Sequence, residues 1–125
     1  MNPPPRARTT VTARWTFEGF HRWPDAPPGR SYLAERHRHL FHGEVTVEVT
    51  HTDRQIEFHD LRDVCVLATR QTGGEWGPMS CEAIADVIAV DVAGTWPDQP
   101  GELVVAVFED GECGATVTYR MGEGS

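Results

Sequence analysis

The chain has no lysine: its eleven basic residues are all arginine, which removes every mechanism that needs a lysine nucleophile or Schiff base. Cysteine is scarce and odd in number, at 65, 81 and 113, with no paired spacing of a structural zinc site. Free thiols in a reducing compartment are expected rather than a disulfide framework. No apolar run approaches the ~18 residues of a membrane span, so no membrane partner is expected. The opening Met1-Asn2-Pro3-Pro4-Pro5-Arg6 lacks the apolar core of a secretory signal, and a cytoplasmic location is the expectation. A formal charge of −8 argues against nucleic acid, which rewards a cationic surface. What remains, in 125 residues with 39% hydrophobic and 24% charged side chains, is one globular domain of ordinary size.

Residues 1–8, rich in Pro and Arg, read as a flexible arm; the domain is expected over 9–121 and a short tail over 122–125. From Thr9, Val11, Ala13, Trp15 and Phe17 alternate with polar neighbours, the period of a half-buried strand. The proline-rich Trp23–Gly29 stretch must be a loop. A second strand is expected from about His37 to His51, with Phe41, Val45, Val47 and Val49 on one side. A short extended piece, Gln55–Phe58, leads to a short helix over Asp60–Leu67 that an acid caps. After a turn at Gly73-Gly74, Ser80 can cap a second helix whose stripe is Ala83, Ile84, Val87 and Ile88 and whose end lies near Gly94. Two strands, Leu103–Glu109 and Cys113–Arg120, close the chain around Asp110-Gly111, a tight-hairpin signal. The class is α+β in the order ββααββ.

Histidine is confined to the first half of the chain, at 21, 37, 39, 42, 51 and 59. On a strand, His37 and His39 share a face ~7 Å apart, close enough to grip one ion. Pairing of the first two strands could bring His21, of the same parity as Trp15 and Phe17, opposite them. Three imidazoles with an open fourth position make a catalytic rather than a structural zinc site. His-x-His alone is a weak motif, and exposed strand-end histidines that bind nothing are its plainer reading. A cupin reading of His37-x-His39-x4-Glu44 fares worse, because Glu44 has the wrong strand parity.

The segment Phe17-Glu18-Gly19-Phe20-His21-Arg22-Trp23-Pro24 followed by His37-Arg38-His39 resembles the F-x-A-x-H and H-G-H pattern of the 6-pyruvoyltetrahydropterin and 6-carboxytetrahydropterin synthase family. Glu57-Phe58 with Leu61, Met79-Ser80-Cys81-Glu82 with Ile84-Ala85, and Val107-Phe108-Glu109-Asp110 resemble its later motifs in the same order, over residues 11 to 120. The resemblance implies a T-fold, a four-stranded antiparallel sheet with two helices on one face, whose subunits assemble as a homo-oligomer with sites at their interfaces. It implies Zn²⁺ on His21, His37 and His39, a pterin-like substrate anchored by Glu109, and lyase chemistry on a dihydropterin triphosphate. The alternative is a T-fold module that binds a metal and a pterin or purine-like ring without lyase activity.

Departures from the pattern bear on that choice. Leu33 stands where the family carries its cysteine, residues 60–80 hold no histidine for its Asp-His pair, and Arg38 replaces a glycine. Glu35 is the nearest carboxylate to His37 and the candidate proton carrier, although a solvated ion pair with Arg36 also explains it. His59-Asp60 could replace the lost pair, with a helix cap by Asp60 as its plainer reading. Arg30, Arg36 and Arg38 form a local basic patch suited to an anionic tail, and Arg38 is the candidate substrate contact. Cys65 and Cys81 read as buried small hydrophobes, not nucleophiles.

Overall fold

In the computed structural model, which describes residues 1–122, both expected strands form, each thirteen residues long, and pair along their whole length. They are β1 (Thr9–His21) and β2 (His37–Val49), antiparallel from Thr9↔Val49 to His21↔His37. The helices α1 (Phe58–Arg70) and α2 (Cys81–Thr95) flank a three-residue strand, β3 (Glu75–Gly77). A hairpin of β4 (Gly101–Glu109) and β5 (Cys113–Met121) follows. One five-stranded sheet results, ordered β3-β1-β2-β4-β5. β3 runs parallel to the end of β1, across a bulge between Phe20 and His21, and the other pairings are antiparallel.

The sheet is therefore mixed and five-stranded, where four antiparallel strands were expected, and the order becomes ββαβαββ. Backbone contacts carry the extra strand: Phe20 donates to the Gly74 carbonyl at 2.7 Å and Arg22 to that of Gly77 at 2.8 Å. A 3₁₀ turn, Pro28–Leu33, lies within the proline-rich loop. Gln55–Phe58 is not a strand, β2 stops at Val49, and α1 is longer than Asp60–Leu67. Its cap is Glu57, whose carboxylate accepts from the Asp60 amide at 2.8 Å; Asp60 itself lies in the first turn. Ser80 caps α2 through the Ala83 amide, as expected. The first strand begins at Thr9 and the last ends at Met121, while 123–125 of the expected tail lie outside the described residues. No described helix is long and apolar enough to cross a membrane.

Register fixes which side chains meet. Every antiparallel pairing joins residues of like parity, the odd pairs Phe17↔Phe41, Val45↔Val105 and Leu103↔Tyr119 among them. A single parity thus lines one face of four strands. Both helices cover that face, where Trp15, Phe17, Phe41, Val45 and Val105 pack with Leu61 and Cys65 of α1 and Ile84 and Ile88 of α2. Two glycines leave room for tryptophan rings: a Cβ at Gly43 would come within 2.6 Å of Trp15, and one at Gly19 within 2.8 Å of Trp76. The opposite face carries polar pairs such as Thr12–Thr46 and Arg14–Glu44.

Candidate metal centre

The odd-numbered face continues past Phe17 and Phe41 into three histidines. His21 ends β1, His37 opens β2 directly opposite it, and His39 follows two residues on, all at the same end of the sheet. Their rings stand edge to face, with centroids 4.6 Å (His21–His37), 5.2 Å (His21–His39) and 5.0 Å (His37–His39) apart. One nitrogen from each lies within 4.8 Å of the others. Phe41 forms the floor, edge-on to His21 and His39.

Each ring is held by its other nitrogen. His21 Nδ1 donates to the Met79 carbonyl at 2.9 Å, His37 Nδ1 to the Glu35 carbonyl at 2.8 Å and His39 Nδ1 to Asp110 Oδ2 at 2.7 Å. A carbonyl only accepts, so His21 and His37 carry a proton on Nδ1, and in the neutral ring Nε2 is the atom left to bind a metal. This is the arrangement that orients metal-ligating histidines. The fit of a cation is also shown by what is unmet: Nε2 of His21 and of His39 are buried without a hydrogen-bond partner. Leaving such atoms unsatisfied costs about 1–3 kcal/mol each, a cost that a divalent ion of the imidazole-binding kind removes. The three histidines could hold a metal ion.

Glu109 ends β4 opposite Phe41, two residues along β2 from His39. Its Oε2 lies 2.9 Å from His21 Nε2, without the alignment of a hydrogen bond, and 3.6 Å from His39 Nε2, too far for one. The next residue, Asp110, is clamped: Oδ1 accepts from the Leu40 amide at 3.0 Å, and its own amide donates to the Leu40 carbonyl at 2.8 Å. The His39 and Leu40 hydrogen bonds hold its carboxyl below the usual range. Asp110 adopts φ 54° and Gly111 φ 74°, the left-handed pair that an Asp-Gly hairpin turn requires.

A cleft of ≈ 400 Å³ opens beside the cluster, lined by His21, His37, Trp23, Leu33, Glu109 and Cys113 among others. Of the residues singled out in the sequence, His21, His37, His39 and Glu109 are thus brought together. Glu35 is not brought in: it is exposed and does not line the cleft, and what it gives the site is a backbone carbonyl. Arg38 has even parity and sits on the opposite face, bound to Glu18 at 2.7 Å. That hydrogen bond lowers the Glu18 carboxyl and raises the Arg38 guanidinium. Arg36 forks onto Glu75 and lies 3.7 Å from the centre of the Phe20 ring, so the patch is largely spent on internal pairs. His59 is tied to Glu57 at the start of α1.

Among the cleft residues not singled out from sequence, two carry reactive groups. Glu82 lines it from the first turn of α2, and Cys113, the exposed cysteine of the three, lines it from β5. Cys65 and Cys81 are buried and their thiols are pushed up to about 12, in line with a packing role. Sequence parity alone places Cys113 on the covered face, but nothing local says that β5 begins beside the histidines.

Fold and site together define an α+β protein with a three-histidine candidate metal centre at the mouth of a cleft. No protein-family model and no curated protein matches the chain.

Proposed function

We propose that the protein is a zinc-dependent lyase of the 6-pyruvoyl/6-carboxytetrahydropterin synthase type, acting on a dihydropterin triphosphate or a related pterin. The observation that carries the reading is the convergence of His21, His37 and His39, each held through Nδ1, beside a cleft large enough for a two-ring heterocycle. Bound zinc would supply Lewis-acid polarisation of a substrate oxygen. Glu109 would accept N–H bonds from the ring edge, and Trp23 offers a flat apolar wall. Glu82 and Glu109 are the cleft-lining carboxylates available for proton transfer, whereas Glu35 is exposed and does not line the cleft. In this reading the subunit is a T-fold, the outer strands β3 and β5 join copies in a cytoplasmic homo-oligomer, and neither nucleic acid nor membrane is a partner.

A second reading, a metal- and ring-binding module without lyase activity, is favoured by Leu33. It occupies the cleft wall where the family carries its thiol, and residues 60–80 hold no histidine. One experiment separates the two: metal content by plasma mass spectrometry for wild type and His37→Ala, with dihydroneopterin triphosphate turnover on the same samples. One metal per chain that the mutant loses, with turnover, is expected for the lyase. Metal without turnover selects the binding module, and a wild type that takes up no metal even from added zinc removes both.

A further inference from the structure

The hairpin turn between β4 and β5 meets the histidines with two consecutive carboxylates that point at different sides of the same rings. Asp110 holds His39 from behind, at Nδ1, while Glu109 faces the Nε2 side of His21 and His39. Donor atoms on a tetrahedral ion at ~2.0–2.1 Å stand roughly 3.4 Å apart. The 2.9 Å and 3.6 Å separations of Glu109 Oε2 from the two Nε2 atoms bracket that spacing, and those two nitrogens are the buried, unpartnered ones. A carboxylate parked there to form a hydrogen bond would align with His21 Nε2, 2.9 Å away; this one does not, and it stands too far from His39 Nε2 to bond it.

We propose that Glu109 is a fourth metal donor, so that the centre is His21, His37, His39 and Glu109, and that Asp110 is the positioning residue that fixes the His39 end. The inference rests on the metal reading above and is independent of the pterin reading. Three histidines alone leave the fourth position open to any oxygen ligand. With Glu109 in that position the centre is closed while the cleft is empty, and a ligand oxygen enters by displacing the carboxylate. Glu109 lines the cleft, so the displaced group stays where it can accept N–H bonds from the incoming molecule. Asp110 makes the arrangement rigid: it is bonded to the His39 ring and to both the amide and the carbonyl of Leu40, and its left-handed φ fixes where the preceding residue ends.

The test uses the full chain, with zinc affinity measured by chelator competition and the visible spectrum of the cobalt-loaded protein as a second readout. The proteins are wild type, Glu109→Gln and Asp110→Ala, with tryptophan fluorescence used to check that each is folded. Glu109→Gln keeps the size of the side chain and is expected to weaken zinc at least tenfold and to shift the cobalt bands, because the donor set changes. Asp110→Ala is expected to weaken zinc by ~10–100-fold, the usual cost of losing a partner that orients a ligand. Unchanged affinity and spectrum in a folded Glu109→Gln, with wild type binding one ion per chain, overturns the proposal and leaves the three histidines as the centre. A wild type that binds neither zinc nor cobalt overturns the metal reading itself.

Discussion

At one end of the covered sheet face Val45 pairs with Val105 and Val47 with Leu103, and all four side chains are closed to solvent. At the other end, on the same strands and the same parity, His21 pairs with His37, and Glu109 lies opposite Phe41. Each aliphatic residue at the first end gains ~1.5–3 kcal/mol on burial, with no partner required. At the second end the same burial leaves two imidazole nitrogens unsatisfied. One alternation thus builds a region that is stable by itself and a region whose stability is conditional on what it holds.

The strongest way to break that comparison is at the aliphatic end. Leu103 is 1% exposed and packs in the core, so Leu103→Ala is expected to cost ~2–5 kcal/mol in urea unfolding with an unchanged m value. The loss should be the same with and without zinc. A zinc-dependent loss there would mean that the two ends are not separable.

At the histidine end the dependence reverses. His37 is only half-buried and is tied to the chain through a hydrogen bond to the Glu35 carbonyl, so His37→Ala should change the stability of the metal-free protein little. Zinc at one hundred times its dissociation constant stabilises a one-site protein by ~2.7 kcal/mol, and wild type should show that gain while the variant shows none. An equal gain in both proteins would place the zinc elsewhere.

These two ends were unequally legible in the sequence. Alternation is a local signal, so β1 and β2, the odd-numbered core and the shared face of His37 and His39 could be read directly. The match of His21 to His37 needed only antiparallel pairing of neighbours in the chain. Glu109 could be chosen but not placed, because its distance from His21 depends on the β2–β4 register, which joins segments some sixty residues apart. The carbonyls of Met79 and Glu35 that orient two rings carry no sequence signal, since any residue supplies one. Strand β3 escaped because Glu75-Trp76-Gly77 is too short to alternate. Arg38 shows the converse: its parity already sends it to the far face, whatever motif surrounds it.

The smallest effect sharpens the aliphatic end by isolating one of its polar anchors. Tyr119 pairs with Leu103, and its hydroxyl donates to Asp86 Oδ1 at 2.7 Å, pinning β5 to α2. Tyr119→Phe should cost ~0.5–1.5 kcal/mol at neutral pH, the net worth of a typical hydrogen bond. Burial first, and Asp86 second, push the phenol above its ordinary ionisation range. The sign follows from which state keeps the proton. Above pH ~10 the unfolded chain gives up this proton while the folded one retains it, so the Tyr119 contribution is complete below that pH and is lost as pH rises further. Cys65 and Cys81, also raised by burial, act in the same direction but are common to both proteins and cancel in the difference. Urea unfolding of wild type and Tyr119→Phe should therefore converge at alkaline pH. A gap that stays constant from neutral pH upward would show that packing, not the hydroxyl, joins β5 to α2.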